Sequence, residues 1–353
     1  MRICYLADAG SIHIQRWIGY FAKKNYEIHL ISFRQGKIEG TNFHYIMPPI
    51  LFSFNLSYIL SIPRIRMMVK EIKPDLLHAY YATSYGFLGA CSNGRPSIVS
   101  CIGSDIMINL QKSIFYRWIT KYALKEATFV TSVSRPITER IIEQGIPPEK
   151  IRTFPLGVDH EKFFPSSQEQ KKFALLSTRS LEPIYNIETM LKGFSCLKRD
   201  GFQGKLVIAG GGSQEKRLKK LSIGFGLSDN VDFVGAVPPD GVAEYLRASK
   251  IYLSMSLSDG ASTSLLEAMA CGAFPIVSDI PANREWIVNG ENGFLVPPLD
   301  TKKLARCVME AFNNPNLMEM AAKKNFKLIG SKAILQKNLQ KMESIYHLMV
   351  KES

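Results

Sequence analysis

The chain has no apolar run near the roughly 18 residues that a membrane-crossing helix requires, so no transmembrane helix is expected. Its six cysteines, at positions 4, 91, 101, 196, 271 and 307, form no C-x-x-C pair. That excludes a zinc ribbon or a dithiol redox centre, and the thiols read as free and buried in a reducing cytoplasm. G-x-G-x-x-G is missing too, which argues against a dinucleotide cofactor. Acidic residues are few: 31 Asp and Glu face 44 Lys and Arg, for a net charge of +13. Such an excess attracts phosphates, nucleic acid or anionic lipid. No basic block with interleaved aromatics occurs, so nucleic acid is not an expected partner.

What is present is an α/β pattern. At 353 residues, 46% apolar and 21% charged, the chain fits two globular domains of roughly 150 to 200 residues. Short apolar runs alternate with helical periodicity, the signature of parallel sheets wrapped by helices. Residues 2–6 read as a first strand rather than a secretory leader, because Asp8 stops the apolar run. Ile14, Trp17, Ile18 and Phe21 then mark one face of a helix. Between them, Asp8-Ala9-Gly10-Ser11-Ile12-His13 is the loop where a Rossmann-like domain brings backbone against a ligand, and Gly10 and Ser11 permit that approach. His13 is either a ligand contact or an ordinary surface residue of a first helical turn. Strands expected at 76–79 and 97–101 lead to His78 and Tyr80 and to Asp105, at ends that should open on one cleft. Asp105 is either a ligand-side carboxylate or a helix cap. A strand at 128–132 precedes a helix at 134–144 capped by Ser134, and 151–154 is the last strand of this half.

Residues 41–63 carry no Lys, Arg, Asp or Glu, and the apolar run Ile46–Phe54 leads into a helix ending Arg64-Ile-Arg66-Met-Met-Val-Lys70. Phe115–Lys125 is a second apolar segment with basic residues. Both patterns suit a helix lying on an anionic membrane, and both suit a core-facing helix with solvated lysines. The basic excess leans to this half, with 19 Lys and Arg against 11 Asp and Glu in residues 1–160.

The alternation restarts after a polar linker at 166–172. A strand at 173–177, a loop with Arg179 and Tyr185, a helix at 187–197 and a strand at 205–209 run into Gly210-Gly211-Gly212-Ser213. The densest stretch is Ser258–Ser278, SDGASTSLLEAMACGAFPIVS. It holds a small-residue loop, a short helix at 264–270, a turn at Gly272 and a buried strand. A helix that starts after a strand and such a loop leaves unpaired N–H groups and roughly half a positive charge at its N-terminus, where a phosphate is readily held. Asp259 and Glu267 sit across that anion site. Ser264-x-x-Glu267 also fits a capping box that needs no ligand.

The D-x7-E spacing of Asp259 and Glu267 resembles the E-x7-E signature of family 4 retaining glycosyltransferases, with Asp for the usual first Glu. Phe154-Pro-Leu-Gly157-Val-Asp159 with Phe163 resembles that family's hinge, Val231–Gly235 its v-x-F-x-G segment, and Gly290–Asp300 its glycine-rich tail. Two departures stand out. Where the family commonly has Arg and Lys clamping the donor diphosphate, this chain has Arg179 and Tyr185, and the usual first-domain His is Ile102.

The resemblance implies two Rossmann-like α/β domains with parallel sheets facing across a cleft: an acceptor-side domain at 1–165, a nucleotide-sugar donor domain at 166–331, and a C-terminal helix at 332–353 returning to the first. It implies transfer of a hexosyl or N-acetylhexosaminyl group with retention, in cell-surface polysaccharide or glycolipid assembly. Glu267 would hold the donor's ribose hydroxyls and Asp259 would face the donor sugar. Gly10, Ser11, Arg179, Tyr185, Gly211, Val234, Gly260, Ser264 and Leu265 would complete the donor site. Asp259, Arg179 and Asp105 would act in catalysis, with His13, His78 and Tyr80 on the acceptor side. No D-x-D occurs, so neither metal nor cofactor is expected, and leaving-group charge would fall to Arg179 and the N–H groups after Asp259. The implied partners are the donor, a lipid-linked or polysaccharide acceptor and an anionic membrane, in the cytoplasm or at the inner face of the cytoplasmic membrane. A nucleotide-sugar epimerase of the same build and a nucleotide-binding scaffold subunit without catalysis stay open.

Overall fold

Strands buried on both faces need near-continuous apolar runs, and such runs form the middle of the sheets among the thirteen strands that pair in the computed structural model, which describes residues 1–47, 58–166 and 171–351. The first seven are β1 (Arg2–Leu6), β2 (Glu27–Ser32), β3 (Thr41–Tyr45), β4 (Leu76–Tyr80), β5 (Ser97–Cys101), β6 (Phe129–Ser132) and β7 (Ile151–Thr153). They form one parallel sheet in the order β3-β2-β1-β4-β5-β6-β7. Around it run α1 (Ile12–Ala22), α2 (Ile62–Ile72), α3 (Phe87–Ser92), α4 (Ile114–Glu126) and α5 (Arg135–Glu143). Helix α1 buries Ile14, Trp17, Ile18 and Phe21, the face its periodicity predicts. Ser134 does stand at the N-cap of α5, but its side chain makes no capping bond.

The second sheet consists of β8 (Phe173–Ser177), β9 (Leu206–Ile208), β10 (Val231–Phe233), β11 (Ser249–Ser254), β12 (Phe274–Ser278) and β13 (Phe294–Val296), in the order β10-β9-β8-β11-β12-β13. Its pairs are all parallel. The helices are α6 (Ile187–Arg199), α7 (Glu215–Gly224), α8 (Pro239–Arg247), α9 (Thr263–Ala270), α10 (Thr301–Phe312), α11 (Pro315–Lys332) and α12 (Leu335–Lys351). Each sheet is the core of its own unit.

One unit comprises Met1–Leu156 and the residues from Lys337 onward; the other is Gly157–Gln336. The divisions therefore fall at 156/157 and 336/337 rather than at 165/166 and 331/332. The cause is a backbone pairing within the second unit: Val158 N–H donates to Ala333 O at 2.7 Å and Leu335 N–H to Val158 O at 2.9 Å. This pairing also ends α11 at Lys332 and starts α12 at Leu335, three residues after the start expected for the C-terminal helix. Gly157 is required beside it. Its φ is +91°, and a Cβ there would lie 2.6 Å from Leu335 Cα.

From Lys337 on, α12 belongs to the first unit, as the returning helix was expected to. Asn338 Nδ2 donates to Pro155 O at 2.9 Å, and the fully buried Tyr346 places its Oη 3.0 Å from Tyr5 Oη. All six cysteines are free, and burial pushes the Cys4 and Cys271 thiols up to about 12, which keeps them unreactive. Among the described residues no helix is long and apolar enough to cross a membrane. Most of the apolar run Ile46–Phe54 and of the linker 166–172 lies outside the described residues.

Candidate functional site

In the second sheet the strand order reverses between β8 and β11, which pair through Ile251 with Leu175 and Tyr252 with Leu176. Such a reversal opens a crevice beyond the carboxyl ends of the two strands. The loop after β8 carries Arg179 and Tyr185, and the loop after β11 carries Asp259 and leads into α9. The two loops are laced by Leu257 N–H to Ile184 O at 2.8 Å and by Asn186 Nδ2 to Met255 O at 3.2 Å. Sheet register thus brings residues 80 positions apart into contact.

Arg179 is the centre of the contact. Its Nη2 donates to Asp259 Oδ2 at 2.7 Å, and its Nη1 to Ser262 Oγ at 2.9 Å and Ser264 Oγ at 2.8 Å. The guanidinium lies 4.0 Å from the centroid of the Tyr185 ring, a cation–π contact at the position of the usual Lys. Burial by itself would lower the guanidinium pKa, but Asp259, with Tyr252 and Tyr185, holds it above its ordinary value. Arg179 is therefore a fixed positive charge in a nearly closed site, where charge acts more strongly than in water. Its Nε is buried without a hydrogen-bond partner among the described residues.

Helix α9 starts one residue earlier than its sequence suggests, and its cap is Ser262, whose Oγ accepts from Leu265 N–H at 3.3 Å. Ser264 is inside the helix, so the Ser264-x-x-Glu267 capping box does not form. Ser264 instead accepts from Arg179 and from Tyr252 Oη at 2.8 Å. Glu267, three residues on, shares that helix face and is buried. Ser262 and Tyr252 are the site residues that sequence reasoning missed. Ser262 is one of three consecutive capping-competent residues, and Tyr252 reads as any strand aromatic.

The other expected donor residues divide. Gly260 N–H donates to its neighbour's Asp259 Oδ1 at 2.9 Å, so this N–H is turned onto the carboxylate and not outward, and Leu265 buries its side chain in the core. Gly211 O accepts from Leu181 N–H at 2.9 Å. The glycine run around it is needed for a backbone crossing, since a Cβ on Gly210 would lie 2.2 Å from Arg179 O. Val234 N–H pairs with Ile208 O at 3.1 Å, while its side chain is exposed. In the first unit, Gly10 N–H donates to Asp8 Oδ1 at 2.8 Å in an exposed turn before Ser11, and His13 is half-buried in the first turn of α1.

Three expected first-unit residues are instead structural. Asp105 is fully buried and accepts Ala82 N–H and Gly103 N–H, each at 2.9 Å, which clamps the loop after β5 to the turn after β4. Burial raises its pKa against the pull of those N–H groups. A carboxylate so enclosed meets no substrate, and Asp105 is removed from the catalytic set. His78 is fully buried, with Nδ1 2.6 Å from Tyr346 Oη and Nε2 2.7 Å from Ser100 Oγ. Both ring nitrogens are used inside the core, so His78 cannot meet an acceptor. Tyr80 is buried as well, on a cavity of about 10 Å³ shared with Trp17, Ser100, Ile102 and Thr131, room for one water. Among the described residues no group of three or more His, Cys, Asp or Glu is placed to hold a metal ion.

Residues 159–328 match the family model described as "Glycosyl transferases group 1", and residues 2–134 that described as "Glycosyl transferase 4-like". An Anabaena protein, HepE, in complex with UDP-glucose has the same fold, with a TM-score of 0.82, 16% identity and 98% of this chain and 99% of that one covered. The chain has the GT-B fold. The chain is 26% identical over 249 residues to a glycosyltransferase of Methanocaldococcus jannaschii, an alignment that spans 67% of the chain but only 63% of that relative. It is 22% identical over 371 residues to N-acetyl-alpha-D-glucosaminyl L-malate synthase of Bacillus anthracis, with 99% and 96% covered.

Proposed function

We propose that this protein is a glycosyltransferase, a retaining enzyme of the family 4 type that takes a nucleotide-sugar donor on its second unit, in cell-surface polysaccharide or glycolipid assembly. The observation that carries the reading is Arg179 held by Ser262 and Ser264 at the N-terminus of α9, so that a guanidinium and a helix dipole converge on one anion site. A nucleoside diphosphate has the charge and the planar oxygens that bidentate guanidinium binding favours. The UDP-glucose bound by the Anabaena protein and the N-acetylglucosaminyl product of the Bacillus anthracis relative are both of the expected chemical class.

In the reaction so proposed, the bond from the anomeric carbon to the β-phosphate oxygen breaks and a bond to the acceptor oxygen forms on the same face. The acceptor proton passes to the departing phosphate. Negative charge grows on that phosphate, where Arg179 and the α9 N-terminus stabilise it. The diphosphate replaces Asp259 as the partner of Arg179, and the freed Asp259 carboxylate accepts from hydroxyls of the donor sugar. Glu267 accepts from the ribose hydroxyls. One observation favours a second reading, a scaffold that binds nucleotide without catalysis: Asp259, Ser262 and Ser264 already satisfy Nη1 and Nη2 of Arg179.

A thermal-shift titration with UDP-, GDP-, ADP- and TDP-sugars in the presence of EDTA tests the proposal. One of them is expected to raise the wild-type melting temperature by mass action, and Glu267→Ala is expected to abolish the shift. A wild type that responds to none of the four sinks the donor assignment.

A further inference from the structure

The first two turns of α4 leave large apolar side chains in solvent: Ile114 is 77% exposed, Phe115 44% and Trp118 58%. Their spacing of one, three and four residues puts them on one face. Trp118 is not loose. Its ring stands edge-on to Phe87 at 6.1 Å and stacks on Tyr122 at 5.8 Å. The patch extends toward α2, whose Ile62 packs with Phe87, Ile119 and Ala123, and beside which Leu60 and Met67 are exposed. Exposed apolar groups this large are ordinary when scattered and informative when clustered.

The charge around the cluster is predominantly basic, with Glu71 on α2 as an exposed acid. Arg117, Lys121 and Lys125 are exposed on α4, Lys112 just before it, and Arg64, Arg66 and Lys70 on α2. The sole acid of α4, Glu126, lies at its far end and is paired with Arg95 at 2.5 Å. On the helical wheel Arg117 and Lys121 flank Ile114 on one side, and Lys125 follows Ile114 and Trp118 along the axis. Core packing explains Ile119, Ala123 and Leu124 of this helix, which are buried. It does not explain the outward apolar face.

The geometry points to this face, Ile114, Phe115 and Trp118 flanked by Lys and Arg, as the surface by which the first unit docks on an anionic lipid bilayer. An indole and a phenyl seat at the headgroup level, and the basic rim meets lipid phosphates. The partner is assigned by charge complementarity: the exposed residues flanking the apolar face are mostly basic and match lipid phosphates. This inference is independent of the donor site, since none of these residues belongs to it.

Flotation of the full chain with vesicles of phosphatidylcholine, with and without about a third phosphatidylglycerol, tests it. Binding is expected only to the anionic vesicles, and to fall as salt rises. Phe115→Ser with Trp118→Ser is expected to weaken binding at least about tenfold, and Arg117→Gln or Lys121→Gln about fivefold each. Melting curves of the charge variants, which touch no core residue, show that the fold is kept. No binding at low salt overturns the assignment. So does equal binding by wild type and both classes of variant. Concentration-dependent association of the wild type without lipid, lost in the Phe115 and Trp118 variant, would assign the face to a second copy and also overturn it.

Discussion

Replacing Arg179 by alanine is expected to lower donor turnover by about 10²–10³-fold, the usual cost of removing one preorganised donor aimed at developing negative charge. Arg179 shares this load with the α9 N-terminus and not with a second side-chain cation at position 185, where Tyr185 supplies only a π face. Lysine does not replace it. Arg179→Lys keeps the charge but loses the planar fork that now reaches Ser262, Ser264 and Asp259 together, and a loss of at least about tenfold is expected. Removing one member of a buried ion pair also destabilises, by about 3–5 kcal/mol, since Asp259 is left uncompensated. The double change Arg179→Ala with Asp259→Asn removes that penalty and is expected to melt near the wild type while remaining inactive. Release of nucleoside diphosphate from the donor is the measurement. Wild-type turnover by either Arg179 variant would show that the diphosphate is bound elsewhere.

His78 should make the first unit acid-sensitive. Complete burial pushes its pKa down from 6.5 to about 3, so the folded unit holds the imidazole neutral while an unfolded chain protonates it. Its stabilising contribution is fully present above pH 6.5 and is lost as pH falls from 6.5 through 3. At about 1.4 kcal/mol per pKa unit, it amounts to at most roughly 4–5 kcal/mol. His78→Leu is expected to be less stable at neutral pH, because Ser100 and Tyr346 lose a buried partner at about 1–3 kcal/mol each. The variant should also lose less stability between pH 6.5 and 4 than the wild type does. Urea unfolding across that range, followed through Trp17 and Trp118 of this unit with Trp286 reporting the other, measures the difference. Parallel wild-type and variant curves would contradict it.

Both predictions rest on contacts that the sequence alone does not display. The alternation of strands and helices was legible because strands covered on both faces read as unbroken apolar runs, and the observed β8, β9 and β12 lie within a residue or so of where those runs fall. The loop and helix that frame the proposed anion site were legible for a similar local reason: small residues follow an apolar strand and precede a helical run. Long-range pairing was not. The partner of His78 is 268 positions away on α12, and a polar residue near a strand end reads the same whether it faces a ligand or closes a core network. Asp105 misled in the same way, since nothing local signals that its acceptors would be spent on Ala82 and Gly103. The start of α9 was misjudged because Ser262, Thr263 and Ser264 can all cap, and only the fold shows that Ser264 is drawn to Arg179 instead. The start of α12 at Leu335 is set by the pairing with Val158, far off in sequence.

The central claim is that the diphosphate of the donor displaces Asp259 from Arg179 at the N-terminus of α9. A crystal structure of the protein with UDP, or with whichever nucleoside diphosphate the thermal shifts select, tests it most directly. The expected result is a β-phosphate within hydrogen-bond distance of the Arg179 guanidinium, with Asp259 turned away and Glu267 on the ribose. A nucleotide bound elsewhere, with the 2.7 Å pair between Arg179 and Asp259 intact, would contradict the account.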